Sequence, residues 1–170
     1  MTTWTTRPET DDHDRRAIRE INLAAFPTPL EADLVDALRQ DPGAWLPWGS
    51  WIAEDPEGTA TGFALLTRCH VDGAPALALG PCAVPLEHQR TGAGSAAVRA
   101  ALEAAREAGE NLVLVLGHAP YYPRFGFVPA SRYGIRPPFE VPDENMMALS
   151  LDPSRPVPSG TIRYAKAFGV

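Results

Sequence analysis

The chain has little cysteine, and its spacing suits neither a cross-link nor a metal. The two cysteines, Cys69 and Cys82, form no C-x-x-C pair of the kind that zinc sites use. Asp72-Gly73 predicts a tight hairpin turn, which would set Cys69 opposite Ala76 and Cys82 opposite Phe63. The sulfur atoms would then lie about 20 Å apart at ~3.3 Å per strand residue, too far for a disulfide. We therefore expect two free thiols and no metal site.

Long apolar runs and an excess of positive charge are also absent. No stretch approaches the ~20 apolar residues that cross a membrane, and residues 1–4 lack the apolar core of a signal peptide, so we expect a cytoplasmic protein with no membrane partner. The formal net charge is −6, which argues against a nucleic-acid partner because phosphate binding favours a basic face. The length of 170 residues and the 45% hydrophobic share indicate a single domain over residues 1–170.

The spacing of apolar residues predicts a mixed sheet flanked by helices. Asp11 or Asp12 is placed to cap a first helix, and Thr28 with Pro29 after it marks the start of a second. The run 112–116 is apolar throughout, which is typical of a strand buried on both faces. These elements indicate an α/β protein of the α+β type. The predicted strands cover 3–7, 51–54, 60–71, 74–84, 112–116, 146–151 and 162–168, the helices about 12–25, 29–40, 92–108 and 121–125, and an ordered, proline-rich loop covers 131–145.

The most informative stretch is a glycine-bearing turn, Gln89-Arg90-Thr91-Gly92-Ala93-Gly94, which leads into an alanine-rich helical pattern. The first backbone N–H groups of a helix have no partner within the helix and lie at the positive end of its dipole. Glycines remove Cβ atoms, so a phosphate can approach the backbone closely. The turn alone allows a tight turn without a ligand or a dinucleotide site, and a third interpretation comes from a family resemblance described below.

A dinucleotide site fits the surrounding sequence poorly. Gly92-x-Gly94-x-x-Ala97 satisfies the loose Rossmann pattern. In that fold the glycines follow their strand directly, whereas residues 85–91 intervene here, and the strand before them pairs in an antiparallel hairpin. The next predicted strand ends at Leu116 without an acidic residue for a ribose. A Walker loop is excluded because the chain has no Gly-Lys-Ser/Thr sequence.

The turn has a closer counterpart in a known family. Gln89-x-x-Gly92-x-Gly94 resembles the Gln/Arg-x-x-Gly-x-Gly/Ala motif of the Gcn5-related N-acetyltransferases (GNAT), and residues 122–127, Tyr-Pro-Arg-Phe-Gly-Phe, resemble their Tyr-x-x-x-Gly-Phe signature. The runs 80–84 and 112–116 stand where the family has its fourth and fifth strands. The two motifs occur in the family's order, within a resemblance that covers 3–151. It implies the GNAT fold, a mostly antiparallel twisted sheet flanked by helices, and acetyl-CoA as co-substrate.

The resemblance also assigns cofactor contacts. In this family the N–H groups of the turn hold the CoA pyrophosphate, and pantetheine lies between the fourth and fifth strands. Arg90 and Arg124 would contact phosphates, and a backbone N–H near Cys82 would polarise the thioester carbonyl. The family transfers acetyl directly, so Cys82 is expected to be a small buried residue and not a nucleophile. The implied cofactor-binding residues are Cys82, Ala83, Val84, Gln89, Arg90, Thr91, Gly92, Ala93, Gly94, Ser95, Tyr122 and Arg124.

Catalytic roles follow from the same resemblance. Tyr122 lies four residues before Gly126 and matches the family's tyrosine that protonates the leaving thiolate, with Tyr121 as the competing candidate. The base that takes the proton of the amine is left open between an ordered water and several side chains, and His118 is attractive because it follows the fifth strand. The candidate side chains are Glu31, His118, Glu140 and Glu144. The regions that build acceptor pockets in the family offer Phe26, Leu30, Trp45, Trp48, Tyr133, Phe139 and Met146.

The resemblance therefore predicts an enzyme that moves acetyl from acetyl-CoA to a primary amine by direct attack in a ternary complex. A small molecule is the expected acceptor, and a protein N-terminus or lysine is the second. A non-catalytic module that senses acyl-CoA is the competing class. The expected core is 3–151, and it is left open whether the extension 152–170 adds to the sheet or builds a homodimer contact.

Overall fold

The computed structural model describes residues 3–170, which form one nine-stranded sheet with helices on both faces, as predicted. The strands are β1 (Thr5–Pro8), β2 (Trp45–Glu54), β3 (Ala60–Val71), β4 (Ala74–Ala83), β5 (Leu112–Leu116), β6 (Val128–Pro129), β7 (Ile135–Arg136), β8 (Met146–Ser150) and β9 (Gly160–Arg163). Their order is β1-β2-β3-β4-β5-β8-β6, and β9 pairs with both β3 and β7. Pairing is antiparallel except between β4 and β5 and between β7 and β9.

Within residues 3–170 three α-helices accompany the sheet: α1 (Asp12–Ala25), α2 (Leu30–Arg39) and α3 (Ala93–Glu107). The side chain of Asp11 caps α1 by accepting the Asp14 N–H at 3.0 Å, as predicted. At α2 the cap position is held by Pro29 and not by Thr28, although the Thr28 hydroxyl accepts a long bond from the Leu30 N–H at 3.4 Å. Within residues 3–170 no helix is long and apolar enough to cross a membrane.

Alternation along β3 decides which helix packs on which face of the sheet. Phe63 and Leu65 are fully buried with the apolar faces of α1 and α2. Ala64 and Leu66, one residue out of phase, are buried with the alanine-rich face of α3. Because successive strand residues point to opposite faces, α1 and α2 cover one side of the sheet and α3 covers the other.

The β3–β4 hairpin has the predicted turn and a one-residue correction near its open end. Cys69 faces Ala76 as predicted, but Cys82 faces Ala64 and not Phe63. The register shifts because β4 uses three steps, from 79 to 82, where β3 uses two, which is a β-bulge around Gly80. Both cysteines are free thiols.

Two other segments differ from their predictions. β2 has ten residues and begins at Trp45, whereas the predicted strand covered only 51–54. Its pairing with β3 is irregular between Trp45 and Ser50, so the first half of the strand shows no regular alternation in the sequence. The proline-rich stretch 131–145 contains the short strand β7, and β9 begins at Gly160, before the predicted 162–168. The extension therefore joins the sheet by pairing with β3 and β7, and it ends in a 3-10 helical turn, Lys166–Phe168.

Candidate active site

The centre of the sheet contains a gap between two strands that start out paired. β4 and β5 run parallel and pair from Leu77 with Val113 to Leu79 with Val115. Beyond that point β4 stays with β3, where Cys82 faces Ala64, and β5 stays with β8. The backbone edges of the two strands therefore diverge after Leu79, leaving room for an extended ligand to pair with an open edge.

The gap opens into a cavity of about 480 Å³. Its walls come from the ends of β4 and β5, from the start of α2 and from the C-terminal segment. The aromatic side chains that line it are Phe26, Tyr122, Phe139, Tyr164 and Phe168. Among the described residues that line this cavity, Glu31 is the one that carries a carboxylate side chain. The cavity is thus largely apolar, with one acidic side chain.

On the other side of the strand ends, the glycine turn has the geometry of an anion site. Arg90 and Gly92 both have left-handed backbone angles, φ 64° and 96°, so the turn curls before α3 begins. The Trp4 indole N–H donates to the Thr91 carbonyl at 2.9 Å, and the Thr91 hydroxyl donates to the His88 carbonyl at 2.6 Å. These bonds hold the turn in shape without using the N–H groups of the helix.

The first turn of α3 presents those N–H groups. The first intrahelical bond is donated by Ala96 to the Gly92 carbonyl at 3.0 Å, so the amides of residues 93–95 precede the helical ladder. β3 approaches this helix start closely, since a Cβ added at Gly62 would lie 2.5 Å from the Ala93 carbonyl oxygen. The N–H groups and the positive end of the helix dipole together favour a phosphate here.

The adjacent residues Tyr121 and Tyr122 lie at different ends of the gap, one at the start of α3 and the other at the cavity. The Tyr121 hydroxyl lies 2.8 Å from Ser95 Oγ, at the start of α3. Arg124 stacks over the Tyr121 ring at 4.3 Å and donates to the Tyr121 carbonyl at 2.8 Å. Tyr122 instead lines the cavity beside Cys82. The tyrosine that reaches the anion site and the tyrosine that reaches the cavity are therefore consecutive residues.

Tyr122 is held in place by close packing. Its ring meets Phe127 edge-on with centroids 5.9 Å apart, and a Cβ added at Gly117 would lie 2.5 Å from its Cε2. The neighbouring Cys82 and burial raise the pKa of Tyr122 above its usual range, so the phenol keeps its proton at neutral pH. Burial likewise raises the pKa of Cys82 to about 12, which leaves a neutral thiol and no thiolate nucleophile.

The candidate bases are distributed unevenly. His118, Glu140 and Glu144 are exposed and do not line the cavity. Glu31, in the first turn of α2, does line it, and its Oε1 atom is buried without accepting a hydrogen bond from any of residues 3–170. Geometry therefore brings Glu31 to the gap and leaves the other three carboxyl and imidazole groups outside.

One cluster of potential metal ligands occurs in the described part of the chain, away from the gap. Single ligand atoms of Asp11, His13 and Asp14 lie within 4.8 Å of one another. Both carboxylate oxygens of Asp14 accept bonds from the Arg7 guanidinium, at 2.6 and 2.7 Å. This carboxylate is committed to an ion pair, so the cluster offers a cation little.

Several residues of the site were not predicted from the sequence. Trp4 braces the glycine turn from β1's side, and Gly117 makes room for the Tyr122 ring. Tyr164 and Phe168, in the extension, line the cavity. Of the residues predicted for the acceptor pocket, two line it, Phe26 and Phe139, and five do not: Leu30, Trp45, Trp48, Tyr133 and Met146. An aromatic residue close to either end of the chain has no local pattern that ties it to a site far away in the sequence.

Comparison with known proteins agrees with this geometry. The chain matches the acetyltransferase (GNAT) family over residues 15–127. The uncharacterized N-acetyltransferase YjhQ of Escherichia coli (strain K12) is 40% identical over 154 residues, which is 85% of this chain and 84% of that protein.

Solved structures resemble the whole chain. The GNAT family N-acetyltransferase YhbS from Escherichia coli, in complex with CoA, has a TM-score of 0.89 and 25% identity, over 100% of this chain and 94% of that one. A GNAT family acetyltransferase from Brucella melitensis, in complex with acetyl-CoA, has a TM-score of 0.76 and 28% identity, over 98% of both chains. The sequence resemblance is thus confirmed, and the chain belongs to the GNAT family of acetyltransferases.

Proposed function

We propose that this acetyltransferase moves the acetyl group of acetyl-CoA to the primary amine of a small molecule, by direct attack while both substrates are bound. The observation that carries the proposal is the arrangement around the β4–β5 gap. Tyr121 reaches the anion-binding start of α3 on one side, and Tyr122 reaches the cavity on the other. A molecule with a pyrophosphate at one end and a thioester at the other fits between them. The solved relatives in complex with CoA and acetyl-CoA support this choice of co-substrate.

The cofactor would be held mainly by backbone groups. The amides of Ala93, Gly94 and Ser95 would donate to the pyrophosphate. Gln89, whose side chain donates to the Val84 carbonyl at 3.3 Å, would shape the turn and not contact the phosphate directly. Arg90 and Arg124 would add charge-assisted contacts. Pantetheine would pair with the open edge of β4 over residues 82–84.

The transfer step needs one acid and one polarising donor. The amine nitrogen forms a bond to the thioester carbonyl carbon, and a backbone N–H near Cys82 stabilises the oxyanion. The C–S bond then breaks, and Tyr122 donates its proton to the departing thiolate, later regaining one from solvent. The nitrogen loses a proton, so the products are the acetylamide and the CoA thiol.

A binding measurement tests the cofactor assignment. Acetyl-CoA at 100 times its Kd should stabilise the protein by about 2.7 kcal/mol, which corresponds to a rise in Tm of about 5–11 °C for a domain of this size. NAD at the same concentration should produce no rise. Stabilisation by NAD and not by acetyl-CoA would contradict the assignment.

A turnover measurement separates the enzyme from a sensor. Free CoA thiol should appear only when an amine is added together with acetyl-CoA. Tight acetyl-CoA binding without thiol release on any small-molecule or peptide amine would favour the non-catalytic module.

A further inference from the structure

The side chains that line the cavity beside Tyr122 indicate which kind of acceptor can bind there, because few of them are polar. We propose, resting on the function proposed above, that the acceptor is an amine with one positive charge and an apolar body of about the size of an aromatic ring. Its ammonium would be bound by Glu31, and the same carboxylate would take the proton that the nitrogen loses.

One oxygen atom of the Glu31 carboxylate lacks a hydrogen-bond partner among residues 3–170. This atom, Oε1, is buried, yet no donor in the described chain reaches it. A buried polar oxygen without a hydrogen bond is unfavourable, and a buried charge even more so. An ammonium entering the cavity would supply both the donor and the opposite charge, so the unpartnered oxygen points to a cationic ligand.

The remaining walls suit an apolar body. The Phe139 and Tyr164 rings stack with centroids 6.1 Å apart, and Tyr164 meets Phe168 at 5.4 Å. The Tyr164 hydroxyl donates to Met146 Sδ at 3.6 Å, so its polar end is turned to the protein. Ring faces and edges remain as the contact surface, which favours apolar groups and tolerates a cation near a ring face.

The same composition discriminates against other amines. An aliphatic polyamine or an aminoglycoside brings several charges or hydroxyl groups, and each needs a partner when it leaves water. Among the described lining residues Glu31 is the one with a carboxylate side chain, so these amines would leave charges without a side-chain partner. The cavity of about 480 Å³ also includes Gly80, Pro81 and Cys82, so the acyl end of the cofactor occupies part of it. A compact acceptor fits the remainder best.

The proton balance is complete without another reactant. The bound ammonium gives one proton to the Glu31 carboxylate and becomes the neutral nucleophile. After the N–C bond forms and the C–S bond breaks, the nitrogen loses a second proton to solvent, and the thiolate gains the proton of Tyr122. Glu31 returns its proton to solvent when the amide leaves.

A matched amine panel tests the proposal by thiol release. Phenethylamine and hexylamine each carry one ammonium on an apolar body. Putrescine, spermidine, kanamycin and a lysine-containing peptide lack either the single positive charge or the apolar body. We expect kcat/KM at least tenfold higher for the first two. A preference for polyamines, kanamycin or the peptide, with acetyl-CoA binding intact, would overturn this inference and leave the proposed cofactor site standing. Thiol release with none of them would overturn the enzyme and its acceptor together.

A substitution tests the carboxylate itself. Glu31→Gln keeps the size of the side chain and removes its charge. We expect the KM for phenethylamine to rise at least tenfold and the KM for acetyl-CoA to change less than twofold. The exposed Glu107→Gln, at the far end of α3, is the control for loss of one negative charge. Equal KM values for the amine in Glu31→Gln and Glu107→Gln would refute the role of Glu31.

Discussion

Replacing Tyr122 by phenylalanine removes the proposed acid and little else. The ring contacts to Phe127 and to the Gly117 backbone do not involve the hydroxyl, so no cavity forms. Since a positioned general acid contributes about 10²–10⁴-fold, kcat should fall by that factor, equivalent to about 3–5 kcal/mol in the activation barrier. Loss of one polar contact near Cys82 should change folding stability by only about 1 kcal/mol.

The neighbouring tyrosine is the matched control. Tyr121→Phe removes the 2.8 Å contact with Ser95 at the start of α3 and leaves the cavity untouched. It should weaken CoA binding by about 2–10-fold, the equivalent of one hydrogen bond, and change kcat much less. Steady-state thiol release gives kcat and KM, and calorimetry with CoA gives Kd.

The two variants together decide the assignment. If Tyr122→Phe keeps kcat within about threefold of the wild type, a water molecule supplies the proton instead. If Tyr121→Phe carries the larger loss in kcat, the roles of the two tyrosines are reversed.

Three further changes probe the site and its packing. Gly92→Ala should weaken CoA binding by about tenfold, because φ 96° costs about 1–2 kcal/mol for alanine and the new Cβ would lie 3.3 Å from the Trp4 indole nitrogen. Gly58→Ala is the control: it has φ 83° with open space around it, and it should leave CoA affinity unchanged. Gly117→Ala should lower kcat by about tenfold or more with CoA Kd unchanged, since its Cβ would displace the Tyr122 ring; an unaltered kcat would contradict the close packing. Burial raises the pKa of Cys82 from 9.0 to about 12, so the unfolded chain loses that proton first. The contribution of this thiol to stability should therefore be full below pH 9 and fall by up to about 1.4 kcal/mol per pH unit between 9 and 12. Denaturation curves for Cys82→Ala should show a shallower loss, and superimposable curves would refute this.

The proposed cofactor half of the site could be predicted from the sequence because its parts are contiguous in the chain. Strand, glycine turn, helix, strand and tyrosine signature follow one another between residues 79 and 127. Each has a local pattern, such as the uninterrupted apolar run of β5 or the glycines before α3. The order of these patterns, more than any one of them, indicated the fold and the place of the gap.

Local irregularity limited the prediction elsewhere. The bulge near Gly80 moved Cys82 by one residue in register, and nothing in an alternating pattern reveals an extra residue in one strand. Trp4 lies 87 residues before the carbonyl it bonds, so its support for the turn depends on β1 pairing with β2 at the sheet's edge. Contacts of this kind result from the topology of the sheet, so no spacing of residues in the sequence reveals them.

The cavity proposed to bind the acceptor illustrates the same limit in a stronger form. Its walls come from the ends of β4 and β5 and also from distant parts of the chain: the start of α2, Phe139 and the extension that holds Tyr164 and Phe168. In the sequence Glu31 is an ordinary acid in the first turn of a helix, where solvent and the helix dipole both accommodate it. It becomes a distinct chemical group only because the 3-10 turn of the extension packs on α2 and aromatic rings replace water around it. The proposed cofactor site and the proposed acceptor cavity share the ends of β4 and β5 and Tyr122. Because the extension supplies none of the residues proposed to contact CoA, its residues can change without altering those contacts.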